Sequence, residues 1–199
     1  MQAHALTVLL TEENPPSFPF LTLLVSGGHT LLLLATSQSD FEILATTKDS
    51  AIGDAFDKTA RLLNLDWSTG SNASPGSALE ALASRSKQHV EFPTNVMPGQ
   101  LSFSFSGLLS AVDRHWQAIS ESEKSDEASN IAAGFQNAAI GQLEYKIGLA
   151  LDVLKDRGIK VDSLVCSGGV ASNQVLRTRS VFTFKHTVAL TFSTGLGLC

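Results

Sequence analysis

Two apolar runs, residues 20–25 and 30–36, stand either side of Ser26, Gly27, Gly28 and His29, and a third, FEILAT at 41–46, follows closely. Threonine and valine among the leucines, with a glycine-bearing break between the runs, predict two strands joined by a tight turn. The third run extends an antiparallel meander, although its length suits a short helix equally well. From residue 51 the period changes. Ile52, Ala55, Phe56, Thr59, Leu62 and Leu63 recur at helical spacing and predict an amphipathic helix over 51–63. Further helices are expected over 78–87, 107–119 and 127–157, the last with Ile131, Phe135, Leu143, Ile147 and Leu154 on one stripe and Gly158 as its stop. Residues 161–166 read as a buried strand, and SGGV leads from it into a helix over 171–179. The remainder reads as a short helix over 1–10, a proline-bearing turn over 12–19, a polar loop over 70–76 and irregular chain over 91–106. Strands, then helices, then a strand-loop-helix unit predict an α/β layered domain.

Composition narrows this picture. The chain has 199 residues, 43% of them hydrophobic and 17% charged, which predicts one packed core rather than a disordered chain. The longest uninterrupted apolar run, 31–35, falls far short of the ~18 residues of a membrane helix. Cys166 and Cys199 make no disulfide framework and no zinc-finger spacing, so a reducing compartment is the expectation, and the amino terminus shows neither a signal nor a transit pattern. A formal net charge of -5 argues against a chain that grips nucleic acid unaided. Residues 181–199 carry no acidic side chain, and their style predicts a divergent tail over 180–199 after a domain at 1–179.

The candidate chemistry centres on two glycine pairs after apolar strands, Ser26-Gly27-Gly28 and Ser167-Gly168-Gly169. Without Cβ atoms, backbone N–H groups can approach an anion or a ring closely, so two such loops could clasp one nucleotide. Each could equally be a plain tight turn. Asp54 and Asp57 could hold a ribose hydroxyl or a metal-bound water, or form i, i+4 ion pairs with Lys58 and Arg61. His29 could donate to a ligand or simply satisfy the turn. Asn173 is either a helix-start hydrogen bonder or a ligand contact, and Cys166 reads as an inert buried thiol. HExxH, GxSxG and P-loop patterns are absent from the sequence.

Taken together, LLVSGGHT (23–30), GDAFDKTARLL (53–63), LSFSFSGL (101–108) and CSGGVASNQVLR (166–177) resemble one family in order and spacing. It is the tRNA threonylcarbamoyladenosine transferase family, bacterial TsaD and its mitochondrial counterpart, formerly called O-sialoglycoprotein endopeptidases or glycoproteases. The resemblance implies an actin/Hsp70-like kinase fold, incomplete here, mainly the second lobe with part of the first, and a ligand held between lobes. It implies transfer of a threonylcarbamoyl group from threonylcarbamoyl-AMP to the exocyclic amine of the adenosine next to the anticodon in tRNAs reading ANN codons. Carried over by position, Leu24, Val25, Ser26, Gly27, Gly28, Asp57, Gly70 and Asn173 would contact the adenylate. His4 would be the second histidine of an H-x-x-x-H motif holding one divalent metal ion, iron or zinc.

Two departures shape the expectation. The motif's first histidine would precede Met1, and the family's third ligand, an aspartate, has no counterpart after Arg179. The resemblance therefore implies a chain incomplete at both ends, a compromised metal site and little or no activity of this chain alone. Thr69 and Ser71 also replace the glycine and proline that usually flank the position of Gly70. By resemblance the partners are threonylcarbamoyl-AMP, tRNA and a second copy of the chain, with no membrane, and His29 after Ser-Gly-Gly implies the bacterial and organellar branch, hence mitochondria. Two alternatives stay open: an ATP-using relative on the same fold, and a non-catalytic truncated isoform that binds the full-length enzyme.

Overall fold

The computed structural model describes residues 8–9, 15–68, 74–94, 97–184 and 186–193. Strands β1 (Phe20–Val25) and β2 (Thr30–Ala35) pair antiparallel across the Ser26–His29 turn, with Leu23 opposite Leu32 and Val25 opposite Thr30. β3 (Phe41–Thr47) adds antiparallel to β2, so the ambiguous third run is a strand, and the register shifts between Leu32 and Leu33 where the two meet. β4 (Ser102–Phe103) lies parallel to β3. On the other side, β5 (Ser163–Ser167) runs parallel to β1, and β6 (Ala189–Ser193) runs parallel to β5. The result is one mixed sheet in the order β4-β3-β2-β1-β5-β6. Its helices are α1 (Ile52–Leu62), α2 (Pro75–Ala83), α3 (Ser106–Ala118), α4 (Lys124–Asp156) and α5 (Gln174–Phe184).

Every residue of β1 and β2 is buried, which is why both read as unbroken apolar runs instead of alternating ones. Leu21, Leu23 and Val25 join Leu32, Leu34, Leu164 and Cys166 in the core beneath the helices, with Phe56, Phe135, Leu143 and Ile147 above them. The intervening side chains point to the opposite face, where Leu24 packs with Leu31 and Leu33, and Phe20 with Val8, Ala35 and Val165. Among the described residues, no helix is long and apolar enough to cross a membrane.

Helix ends follow local chemistry. After α4, Gly158 takes φ +70, its N–H donates to Lys155 O at 2.9 Å and the N–H of Ile159 to Leu154 O at 2.9 Å, a Schellman stop. Asn64 plays the same part after α1 at φ 53. α2 begins at Pro75, three residues before its expected start, because Ser74 and Ser77 cap it reciprocally and proline is preorganised for a first helical position. The expected helix over 171–179 is instead a 3₁₀ turn, Gly169–Ser172, and then α5, parted at Asn173.

The expectation of a divergent tail beyond residue 179 needs correction for residues 180–184 and 186–193. Residue 180 lies inside α5, Phe184 and Val188 are buried in the main core, and β6 forms the sheet edge beside β5. Hydrophobic and β-branched residues, rather than charge balance, carry the pairing there.

α3 receives its N-terminal acceptor from a distant segment. Asp49 accepts from the Phe105 N–H at 2.8 Å and from Ser104 Oγ at 2.6 Å, tying the β3–α1 connection to the start of α3. Burial pushes the Asp49 carboxyl up, but the hydrogen bonds from Ser104, Phe105 and Ser106 outweigh it and hold the group below the ordinary 3.8. A depressed folded-state pKa contributes stability that is present above 3.8 and is lost as pH falls through the lowered value. Asp49→Ala is therefore expected to cost about 1 kcal/mol near neutrality, a typical loss for a helix cap, with the gap from the parent chain closing on acidification. Thermal unfolding of both chains across acid to neutral pH checks this; a gap that does not change with pH would exclude the carboxylate as its source.

Candidate functional site

Parallel pairing of β1 with β5 sets Leu24 opposite Ser167, so both glycine loops leave the sheet side by side at its carboxyl edge. That is the edge where open α/β sheets bind ligands. The loops touch. Gly168 has φ +106, and a Cβ built there would lie 2.3 Å from the Val25 carbonyl oxygen. The two loops expected to clasp one nucleotide are thus neighbours on one sheet edge.

The first loop is closed by its own serine: Ser26 N–H donates to His29 O at 2.9 Å, and Ser26 Oγ accepts from the N–H groups of His29 at 3.0 Å and Gly28 at 3.3 Å. The same loop fastens α1, which has no side-chain cap of its own. Thr30 Oγ1 accepts from the Ile52 N–H at 2.8 Å, and Ser26 O from the Gly53 N–H at 3.1 Å. A Cβ on Gly53 would come within 2.7 Å of Gly27 N and of Ser26 C and O, so glycine permits this approach.

A cavity of about 210 Å³ opens where these parts meet. Gly27 supplies one wall, Gly53, Phe56 and Asp57 of α1 another, Ser74, Gly76, Ser77 and Glu80 of the α2 region a third, and Gly169, Val170, Ser172 and Asn173 a fourth. Gly27 and Gly169 both line it, and a Cβ at either would meet nothing within 4 Å. At those two positions glycine is not needed for packing; a Cβ there would stand in open space. Among the described residues the polar lining consists of two carboxylates, three serine hydroxyls, one carboxamide and backbone, without a lysine or arginine. Such a lining accepts from hydroxyl groups through Asp57 and Glu80 and offers backbone N–H groups at the glycines.

The expected site residues divide accordingly. Gly27, Asp57 and Asn173 line the cavity. Val25 is buried in β1 with its side chain in the core beneath the helices and Leu24 is buried on the opposite face, Ser26 closes the turn, and Gly28 and His29 are exposed beside it. Of the two expected ion pairs, Lys58–Asp54 forms at 2.7 Å, whereas Asp57 Oδ1 turns to accept the Gly76 N–H at 3.1 Å. Asn173 is a helix-start hydrogen bonder, its Oδ1 accepting from the Leu176 N–H at 2.9 Å to cap α5, and it also lines the cavity. Gly70 and His4 lie outside the described residues. Cys166 is fully buried, and burial pushes its thiol up to about 12 against the opposing pull of Arg177, so it is inert as expected.

Sequence reasoning missed Gly76 and Glu80. Glu80 Oε1 accepts the Gln174 N–H at 2.7 Å, at the very start of α5. A Ser-Pro start with serine three residues on was a legible cap for α2, and it would have placed Gly76 in the first turn. Glu80 carried no signal, since one helical glutamate reads like any other.

The family model for tRNA N6-adenosine threonylcarbamoyltransferase matches residues 1–194. The chain belongs to this family. A threonylcarbamoyltransferase of Desulforapulum autotrophicum is 37% identical over 194 residues, covering 96% of this chain and 54% of that protein. One from Sinorhizobium medicae is 40% identical over 182 residues, covering 89% of this chain and 48% of that protein. The chain thus spans about half the length of these family members. Among solved structures, HypF of T. kodakarensis superimposes with a TM-score of 0.67 at 15% identity, over 97% of this chain and 33% of that one. Component A of the Acidaminococcus fermentans (R)-2-hydroxyglutaryl-CoA dehydratase gives 0.56 at 17% identity, over 96% of this chain and 60% of that one. These likenesses show the fold, the expected α/β arrangement of the actin/Hsp70-like class.

Proposed function

We propose that this chain forms the adenylate-holding part of an enzyme that transfers a threonylcarbamoyl group from threonylcarbamoyl-AMP to tRNA. The acceptor is the exocyclic amine of the adenosine next to the anticodon in tRNAs reading ANN codons. The observation that carries the reading is that Gly27 of the first glycine loop and Gly169 of the second line one cavity. In this arrangement Asp57 and Glu80 accept from ribose hydroxyls, and the phosphate lies toward the glycine backbone, away from the two carboxylates. The amine attacks the carbamoyl carbon, the new C–N bond replaces the C–O bond to the phosphate, the amine gives up a proton, and AMP leaves. What these residues contribute is orientation of the adenylate.

We further propose one divalent ion, iron or zinc, with His4 among its ligands; in the intact enzyme it would polarise the carbamoyl carbonyl. Among the described residues no group of three or more His, Cys, Asp or Glu side chains could hold a metal. With about half the length of the family members it matches, the chain alone is proposed to have little or no turnover. Its net charge of -5 leaves the basic surface for tRNA to the remainder of a longer enzyme or to a second copy in a homodimer. The mitochondrial assignment rests on His29 after Ser-Gly-Gly.

Gly27→Val tests the reading. Its Cβ would meet nothing within 4 Å beside the cavity, so the unfolding midpoint should hold while affinity for AMP falls at least about tenfold, about 1.4 kcal/mol. Isothermal titration of AMP into both chains checks it. Equal affinity would place the nucleotide elsewhere.

A further inference from the structure

Three buried polar side chains on α4 each grip a different loop. Lys146 Nζ donates to Met97 O at 2.7 Å and Gln100 O at 2.8 Å, and Gln142 exchanges two bonds with the Ser104 backbone at 2.8 and 2.9 Å. The third, Gln136, reaches a residue of the cavity wall: its Oε1 accepts from Asn173 Nδ2 at 2.9 Å, and both residues are 4% exposed. Buried carboxamides cost stability unless paired, and a paired one returns only about 1 kcal/mol, so packing alone gives little reason for an amide in this apolar stripe. Its consequence is orientation. Asn173 must present oxygen to the Leu176 N–H, and the reversed carboxamide would set NH₂ against that donor. Gln136 holds the nitrogen on the other side, so cap and pair enforce one orientation. One amide hydrogen of Nδ2 is then left over, on a residue that lines the cavity.

We propose that Gln136 is a positioning residue for bound nucleotide: by accepting from Asn173 it fixes that carboxamide and leaves its second N–H for the ligand. This rests on the adenylate reading of the cavity. The test uses the whole 199-residue chain, ¹⁵N-labelled, with AMP as probe, beside Gln136→Met, which keeps length and apolar packing, and Gln136→Glu, which keeps the acceptor. In the parent chain the Asn173 side-chain amide resonances should move on AMP addition. Gln136→Met should unfold within about 2 °C of the parent. It should bind AMP about tenfold more weakly and shift the Asn173 amide toward its free position, which Gln136→Glu should not. Unchanged AMP affinity in a folded Gln136→Met chain overturns the role of Gln136 and leaves the cavity reading intact. Failure of the parent chain to bind AMP removes the cavity reading and this inference with it. Should Gln136→Met not fold, the parent titration decides: AMP that binds without moving the Asn173 amide overturns the proposal.

Discussion

Gly168→Ala is expected to abolish AMP binding and to lower the unfolding midpoint by about 10 °C. Two costs combine. Gly168 has φ +106 with ψ 172, a backbone region that side chains other than glycine's avoid at a cost of about 1–3 kcal/mol. Its new Cβ would also lie 2.3 Å from Val25 O and 2.9 Å from Val25 C, atoms of a central strand that cannot yield without disturbing the β1–β2 and β1–β5 pairings. A total of about 3 kcal/mol converts to a shift of roughly that size in a chain this long. Because Gly169 follows directly and lines the cavity, the ligand wall moves with the loop. Thermal unfolding and AMP titration read the two effects separately. Retained affinity together with a normal midpoint would show that the two loops do not meet as described.

Gly134→Ala reverses an ordinary rule. In a helix interior alanine is favoured over glycine by about 1 kcal/mol. Here the Cβ would stand 2.1 Å from Val90 O and 3.1 Å from Phe92 Cδ2, where the chain before α3 crosses α4 and the Val90 N–H donates to Asn130 O at 3.2 Å. The substitution must lift that crossing and the Phe92 ring, itself part of the core. A loss of about 3 kcal/mol is expected despite the gain in helix propensity, measured by denaturant unfolding. AMP affinity of the folded chain should be kept, because neither Val90 nor Phe92 lines the cavity. A stabilised Gly134→Ala chain would mean that the crossing is looser than 2.1 Å allows.

The two glycines explain why parts of this protein were legible in its sequence and others were not. Gly168 follows a strand in a Ser-Gly-Gly step, a local signal that announces itself. Gly134 sits inside a helical pattern, and the segment that requires it approaches through space. The same division separates Asp57 from Glu80. Asp57 stands within a motif shared with a known family, whereas Glu80 gains its place from the start of α5, ninety-four residues along the chain. Asp49 and Gln136 are of the second kind, each partnered by a residue far away in sequence.

Residues 180–184 and 186–193 show the reverse error. Their lack of acidic side chains made them look foreign, yet an edge position beside β5 asks only for extended, partly apolar chain. Composition describes a segment's style; pairing depends on which neighbour is available.

What the amino-acid order determined by itself was the run of strands and helices apart from β4 and β6, the glycine stop of α4 and the family likeness, because periodicity, capping and motif spacing are short-range. Tertiary structure alone decided that both Ser-Gly-Gly steps share one sheet edge, that Asp57 turns to Gly76 rather than Arg61, and that Gln136 holds Asn173. Those outcomes depend on strand register and on backbone approaches between distant segments, and the energy of such approaches exists only once the chain has folded.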